Sequence, residues 1–168
     1  VPLTDSKPLV DGNLDEPCWK NAARTGPLEV APGEPAKSPT EAFVLRDAEH
    51  LYVGVRSGEK VSAEEGVKPP EPLKGLGLIE LMIDSNGDKN SYYSIRINPG
   101  KGGEIASSYK EHAPPWHDRT WQPELKSASV HGSGGWAVEL ALPLGIFNKN
   151  KTLAAEIGFN LRRVGMPG

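Results

Sequence analysis

Cysteine is nearly missing from this 168-residue chain: Cys18 stands alone, so no disulfide forms within it and redox compartment leaves no mark on its composition. Methionine (two) and phenylalanine (three) are scarce, and aromatic residues total 7%. No apolar run is long enough to cross a membrane as a helix. An excess of one charge is missing too. The net charge is −3, which gives no electrostatic case for nucleic acid or an anionic membrane surface as partner. The opening VPLTDSKPLV has neither a basic start nor an apolar stretch, so no signal peptide is expected in it, and the chain reads as a piece of a longer protein. The common catalytic signatures, G-x-S-x-G, H-E-x-x-H, the P-loop and C-x-x-C, are absent as well. Carboxylates are plentiful, but nothing in their spacing sets two of them across one cleft as a glycosidase requires. No catalytic residue is assigned.

What the chain has in quantity is Gly (19) and Pro (16). They punctuate it as many short strands joined by turns would require. Residues 1–168 fit a single domain with a real core. Asp15 is placed to cap a brief helix over Glu16–Ala23, with Pro17 in its first turn. Thr25–Pro39 reads as loop with one edge strand. Glu41–Arg46 and Leu51–Arg56 form a predicted hairpin about Asp47–His50, with Leu51, Val53 and Val55 on one face. Ser57–Gly77 is the longest polar loop, and Lys110–Gln122 is a second one carrying Trp116 and Trp121. Leu125–Val130 and Trp136–Leu142 flank the turn signal GSGG. Trp136, Val138, Leu140 and Leu142 point one way there, and Ala137, Glu139 and Ala141 the other. Ile157–Val164 is the last strand. The pattern predicts an all-β antiparallel sandwich with one short N-terminal helix.

The stretch Leu78–Asn98, LIELMIDSNGDKNSYYSIRIN, carries the most information. Two alternating segments flank a polar turn. If Ile79, Leu81 and Ile83 share a side with Tyr93, Ile95 and Ile97, the register sets Leu81 opposite Ile95, Ile83 opposite Tyr93, and Glu80 opposite Arg96. A carboxylate and a guanidinium then share the face turned away from the core, together with Tyr92 and Asn98. An exposed cross-strand ion pair contributes only ~0.2–1 kcal/mol to stability. Hydrogen bonds from charged groups contribute ~1.5–3 kcal/mol each, so a polyhydroxylated ligand is a reasonable alternative reason for the pair. An ordinary ion pair on a solvated face is the other.

The order of motifs resembles a known family. VDGNLDEPCWKNA, LRDAEHLYVGV, LIELMIDSNGD, YYSIRINPGKGGE, GGWAVELALPL and IGFNLRR follow one another as in carbohydrate-binding module family 9, over nearly the whole chain. The resemblance implies a non-catalytic β-sandwich that binds a polysaccharide or sugar chain end, as an accessory module of a secreted glycoside hydrolase. It implies an extracellular or periplasmic location, a linked catalytic domain and a structural calcium ion. It also implies that Glu80 and Arg96 take sugar hydroxyls. Such domains sandwich the sugar between two Trp. Where the first would stand, before the LIELMID strand, this chain has Lys74, Gly75, Leu76 and Gly77.

Other candidates are weighed against plainer readings. Trp116 offers a face on which a pyranose could stack, or it packs under its loop. Trp121 has the same two readings, and Trp19 and Trp136 are expected in the core. Asp84, Asn86 and Asp88 alternate like the start of a calcium loop, but the match fails further on, and a hairpin turn rich in Asp, Asn and Gly is the simpler reading. Glu111, His112, His117 and Asp118 match no strong metal motif. Two further functions remain open: a haem-binding electron-transfer sandwich, with Met82, Met166 or a His as axial ligand, and a docking domain with no ligand of its own.

Overall fold

The computed structural model describes residues 1–31, 33–59, 78–112, 116–148 and 153–164, with side chains for all of these except 30, 31, 106, 107, 111, 112, 116, 117 and 164. Twelve strands are described: β1 Ala23–Arg24, β2 Glu29–Ala31, β3 Glu34–Pro35, β4 Thr40–Arg46, β5 His50–Ser57, β6 Leu78–Asp84, β7 Ser91–Asn98, β8 Glu104–His112, β9 Trp116–Asp118, β10 Lys126–Gly132, β11 Gly135–Pro143 and β12 Gly158–Val164. One five-stranded sheet runs β1-β4-β5-β11-β10, and the other runs β12-β6-β7-β8-β9. All their pairings are antiparallel. The fold is the expected all-β sandwich. β2 and β3 form a separate small pair.

Alternation explains the core. Leu51, Val53 and Val55 of β5, with Val138, Leu140 and Leu142 of β11, meet Ile79, Leu81, Ile83, Ile95 and Ile97 of the facing sheet. Most of these are wholly buried, and each such side chain stabilises the fold by about 1.5–3 kcal/mol. Trp136 belongs to this core. Trp121 is partly buried and packs against it, with its ring 4.8 Å from Tyr93 and its indole N–H donating to the Ile146 carbonyl at 3.2 Å.

The outer faces of the two sheets differ. The N-terminal segment lies over the first sheet, where Val10, Leu14, Cys18 and Trp19 pack on Phe43, Leu45, Tyr52 and Ala141. Gly54 makes room for Leu14: a Cβ at that position would come within 2.5 Å of the Leu14 side chain. This cover corrects one expectation. Glu139, on the side of β11 away from the core, is buried, with only 1% exposed. Its carboxylate accepts the N–H groups of Asp11 (2.9 Å) and Gly12 (2.8 Å) and the Trp19 indole N–H (3.1 Å). Burial pushes its pKa up to about 7, against the pull of those donors; the charge of Glu16 adds to the rise. A local alternation pattern could not show that a distant segment covers this side.

Two local expectations change as well. The predicted helix over Glu16–Ala23 is a 3-10 turn, Pro17–Asn21, with Glu16 and not Asp15 at its N-cap and no side-chain cap. Five residues suit that tighter form, which is used in short pieces, and no α-helix is found among the described residues. The supposed loop Lys110–Gln122 contains β9, which extends the second sheet.

Candidate functional site

The outer face of the second sheet keeps its polar side chains. The hairpin register is the predicted one: Glu80 opposite Arg96, Leu81 opposite Ile95 and Ile83 opposite Tyr93. On its other side β6 pairs with β12, which sets Arg162 opposite the same Glu80. One carboxylate therefore sits between two guanidiniums on adjacent strands, in a row about 10 Å across at the usual strand spacing.

Glu80 departs from expectation in one respect: it is wholly buried, at 0% exposure, and not on display. Its Oε1 accepts from Ser94 Oγ (2.7 Å), the Tyr109 hydroxyl (2.8 Å) and Arg96 Nε (3.1 Å), and its Oε2 accepts from Arg162 Nε. Burial alone would raise its pKa. The hydrogen bonds from Ser94, Tyr109, Arg162 and Arg96 outweigh that and bring it down to about 2, so Glu80 is ionised at neutral pH. The flanking arginines reach solvent: the side chains of Arg96 and Arg162 are 32% and 54% exposed. The Arg96 guanidinium also lies 5.7 Å from the centre of the Tyr109 ring.

This division of labour changes what the face can do. Glu80 holds two arginines by their Nε atoms, and both arginine side chains stay partly exposed. Among the described residues the hydrogen bonds of both arginine side chains run through Nε, and none from a terminal nitrogen is found. The site is a pair of oriented donor groups on a buried anionic anchor.

Ser94, Tyr109 and Arg162 are the members that motif reading did not single out. Ser94 is two residues before Arg96, so period-two alternation could have found it. Arg162 required knowing that the last strand pairs with β6. Of the expected residues, Tyr92 shares the face and is partly buried. Asn98 spends its Oδ1 on the Gly100 N–H (3.0 Å), capping the turn that follows. Trp116 lies in β9, opposite His112 at the edge of this sheet; its side chain lies outside the described ones. Residues 74–77, where the resemblance looks for a stacking Trp, also lie outside the described residues.

The turn joining β6 and β7 uses its acidic oxygens internally. Asp84 accepts the N–H groups of Gly87 (2.7 Å) and Lys89 (2.9 Å). Asp88 accepts those of Ser91 (2.7 Å) and Asn90 (2.8 Å), the Ser91 hydroxyl and the Asn86 side-chain amide. These donors, the Ser91 and Asn90 N–H groups first, hold the Asp88 carboxyl well below the usual range. A calcium ion bound by Asp84, Asn86 and Asp88 would share these oxygens with the hydrogen bonds of the turn. No group of three or more His, Cys, Asp or Glu side chains is gathered as metal ligands among the described residues. The side chains of Glu111, His112 and His117 lie outside that set, as does Met166.

Comparison with known proteins agrees with this architecture. Two solved structures of a family 9 carbohydrate-binding module from Caldicellulosiruptor kristjanssonii are similar to the chain. One, in complex with cellotriose, is 15% identical with a TM-score of 0.57, covering 95% of this chain and 73% of that one. The other, in complex with glucose, is 15% identical with a TM-score of 0.60, covering 99% and 78%. At that identity the likeness is one of fold. No curated protein sequence matches the chain. The family described as "Carbohydrate family 9 binding domain-like" matches residues 10–164, and the chain belongs to that family.

Proposed function

We propose that the chain is a carbohydrate-binding module whose sugar site is the outer face of the second sheet. The observation that carries this reading is the buried Glu80 holding the partly exposed side chains of Arg96 and Arg162. In it the guanidiniums donate to sugar oxygens and Glu80 orients them. This modifies the role first expected for Glu80, because a wholly buried carboxylate does not reach a ligand. Tyr92 and Asn98 extend the polar face, and Trp116, in the edge strand β9, is the residue assigned to stacking in this proposal. The sugar complexes of the two similar structures support the ligand class.

Affinity on a single open face is modest, on the order of −4 to −8 kcal/mol, which is millimolar to micromolar. Such a module works by raising the local concentration of a linked domain at its polysaccharide. A secreted glycoside hydrolase as that linked domain, and an extracellular or periplasmic location, belong to the same proposal.

The test is calorimetric titration against a panel of neutral and acidic oligosaccharides, followed by Arg96→Met. Binding of at least one saccharide, weakened about tenfold or more by R96M with an unchanged circular dichroism spectrum, is the expected result. No binding across the panel, or binding indifferent to R96M, would overturn the reading.

A further inference from the structure

We infer that this face selects a saccharide bearing a carboxylate, a uronic acid unit, over its neutral counterpart; the inference rests on the carbohydrate-binding reading of the same site. A sugar hydroxyl both donates and accepts hydrogen bonds, and is best met by a site that does both. Here the carboxylate that could accept is wholly buried and already takes four hydrogen bonds. The exposed charged side chains of the row are Arg96 and Arg162, whose nitrogens only donate. A carboxylate only accepts, and the planar fork of a guanidinium matches its two oxygens.

The charge balance points the same way. Two guanidiniums face one carboxylate, so the row carries a local charge of +1 on a chain whose net charge is −3. The preference is therefore a property of this row and not of the molecule as a whole. Among the described residues, the acids along these strands do not cancel it. Asp84 lies four residues along β6 from Glu80, about 13 Å away at the usual rise, and is engaged with its own turn. Glu111 stands four residues beyond Ser107, the residue opposite Arg96, at a similar spacing. Glu104 pairs with Lys101 at 3.6 Å. Arg162, the more exposed of the two, is the residue assigned to the ligand carboxylate, with Arg96 beside it.

The experiment titrates the protein at neutral pH with cellotriose and with the same trisaccharide oxidised at C6 to the uronate, using the wild type, Arg162→Met and Arg162→Lys. The oxidised sugar is expected to bind about tenfold tighter or more, with the advantage shrinking at high salt. R162M should remove that advantage, so that the two sugars bind alike, and R162K should keep part of it. Equal binding, or tighter binding of cellotriose, overturns the inference and leaves the carbohydrate-binding reading intact. An advantage that survives in R162M overturns it as well, as does acetate binding as tightly as the oxidised sugar. If no saccharide of either kind binds, both fall together.

Discussion

Glu139 makes the stability of the fold depend on pH in a direction opposite to ordinary acid denaturation. Its carboxyl is 1% exposed beneath the N-terminal segment, and it makes no ion pair among the described residues. Desolvation raises its pKa from 4.5 to about 7. A carboxyl raised in the folded state contributes stability that is complete below 4.5 and is lost as pH climbs through about 7. At about 1.4 kcal/mol for each tenfold change in proton affinity, the loss is about 3 kcal/mol. For a domain of this size that corresponds to a fall in Tm of about 6–12 °C. Glu139→Gln keeps the shape and removes the titration. Urea unfolding of both proteins at intervals from pH 4.5 to pH 8 measures the effect, and groups common to both cancel in the difference. The variant should gain about 3 kcal/mol on the wild type across that range. Two curves that stay parallel would show that Glu139 titrates normally, and the account of a buried, unpaired carboxylate clasping the N-terminal segment would be wrong.

Glu80 has the reverse sign. Its pKa is lowered to about 2, so its contribution is complete above 4.5 and is lost as pH falls through about 2, again about 3 kcal/mol in total; acid unfolding of Glu80→Gln should lack that slope, and an unchanged slope would contradict the arrangement. Gly12 has φ +95°, and a Cβ there would stand 2.7 Å from the Ser129 carbonyl carbon. Gly12→Ala should therefore cost about 2 kcal/mol or more in urea unfolding, whereas a cost near zero would mean that the Asp11–Gly12 turn does not press on β10.

The hairpin register was legible because period-two alternation leaves one solution when a face is buried: Leu81 against Ile95 forces Glu80 against Arg96. The core positions of β5 and β11, Trp136 among them, followed from the same rule; Trp19, in the 3-10 turn, is buried as expected but not by that rule. Three features were not legible. Glu139 looked outward because the residues that cover it, Asp11 to Trp19, are more than a hundred positions away in the chain. Glu80 looked exposed because the strand bringing Arg162 beside it begins at Gly158, and nothing local to β6 says which strand is its second neighbour. The helix over Glu16–Ala23 was read from cap and proline signals, which a five-residue 3-10 turn satisfies equally well. The family resemblance supplied Glu80 and Arg96 as site residues; pairing across three strands supplied Arg162 and the change in the role of Glu80.

Chemical-shift mapping of the isotopically labelled protein, titrated with whichever saccharide of the panel binds, tests the site most directly. The account predicts that the largest shifts fall on Arg96, Arg162 and their neighbours Tyr92 and Tyr109, on the outer face of the second sheet. Shifts concentrated on the first sheet or the N-terminal segment, with Arg96 and Arg162 unmoved, would contradict it.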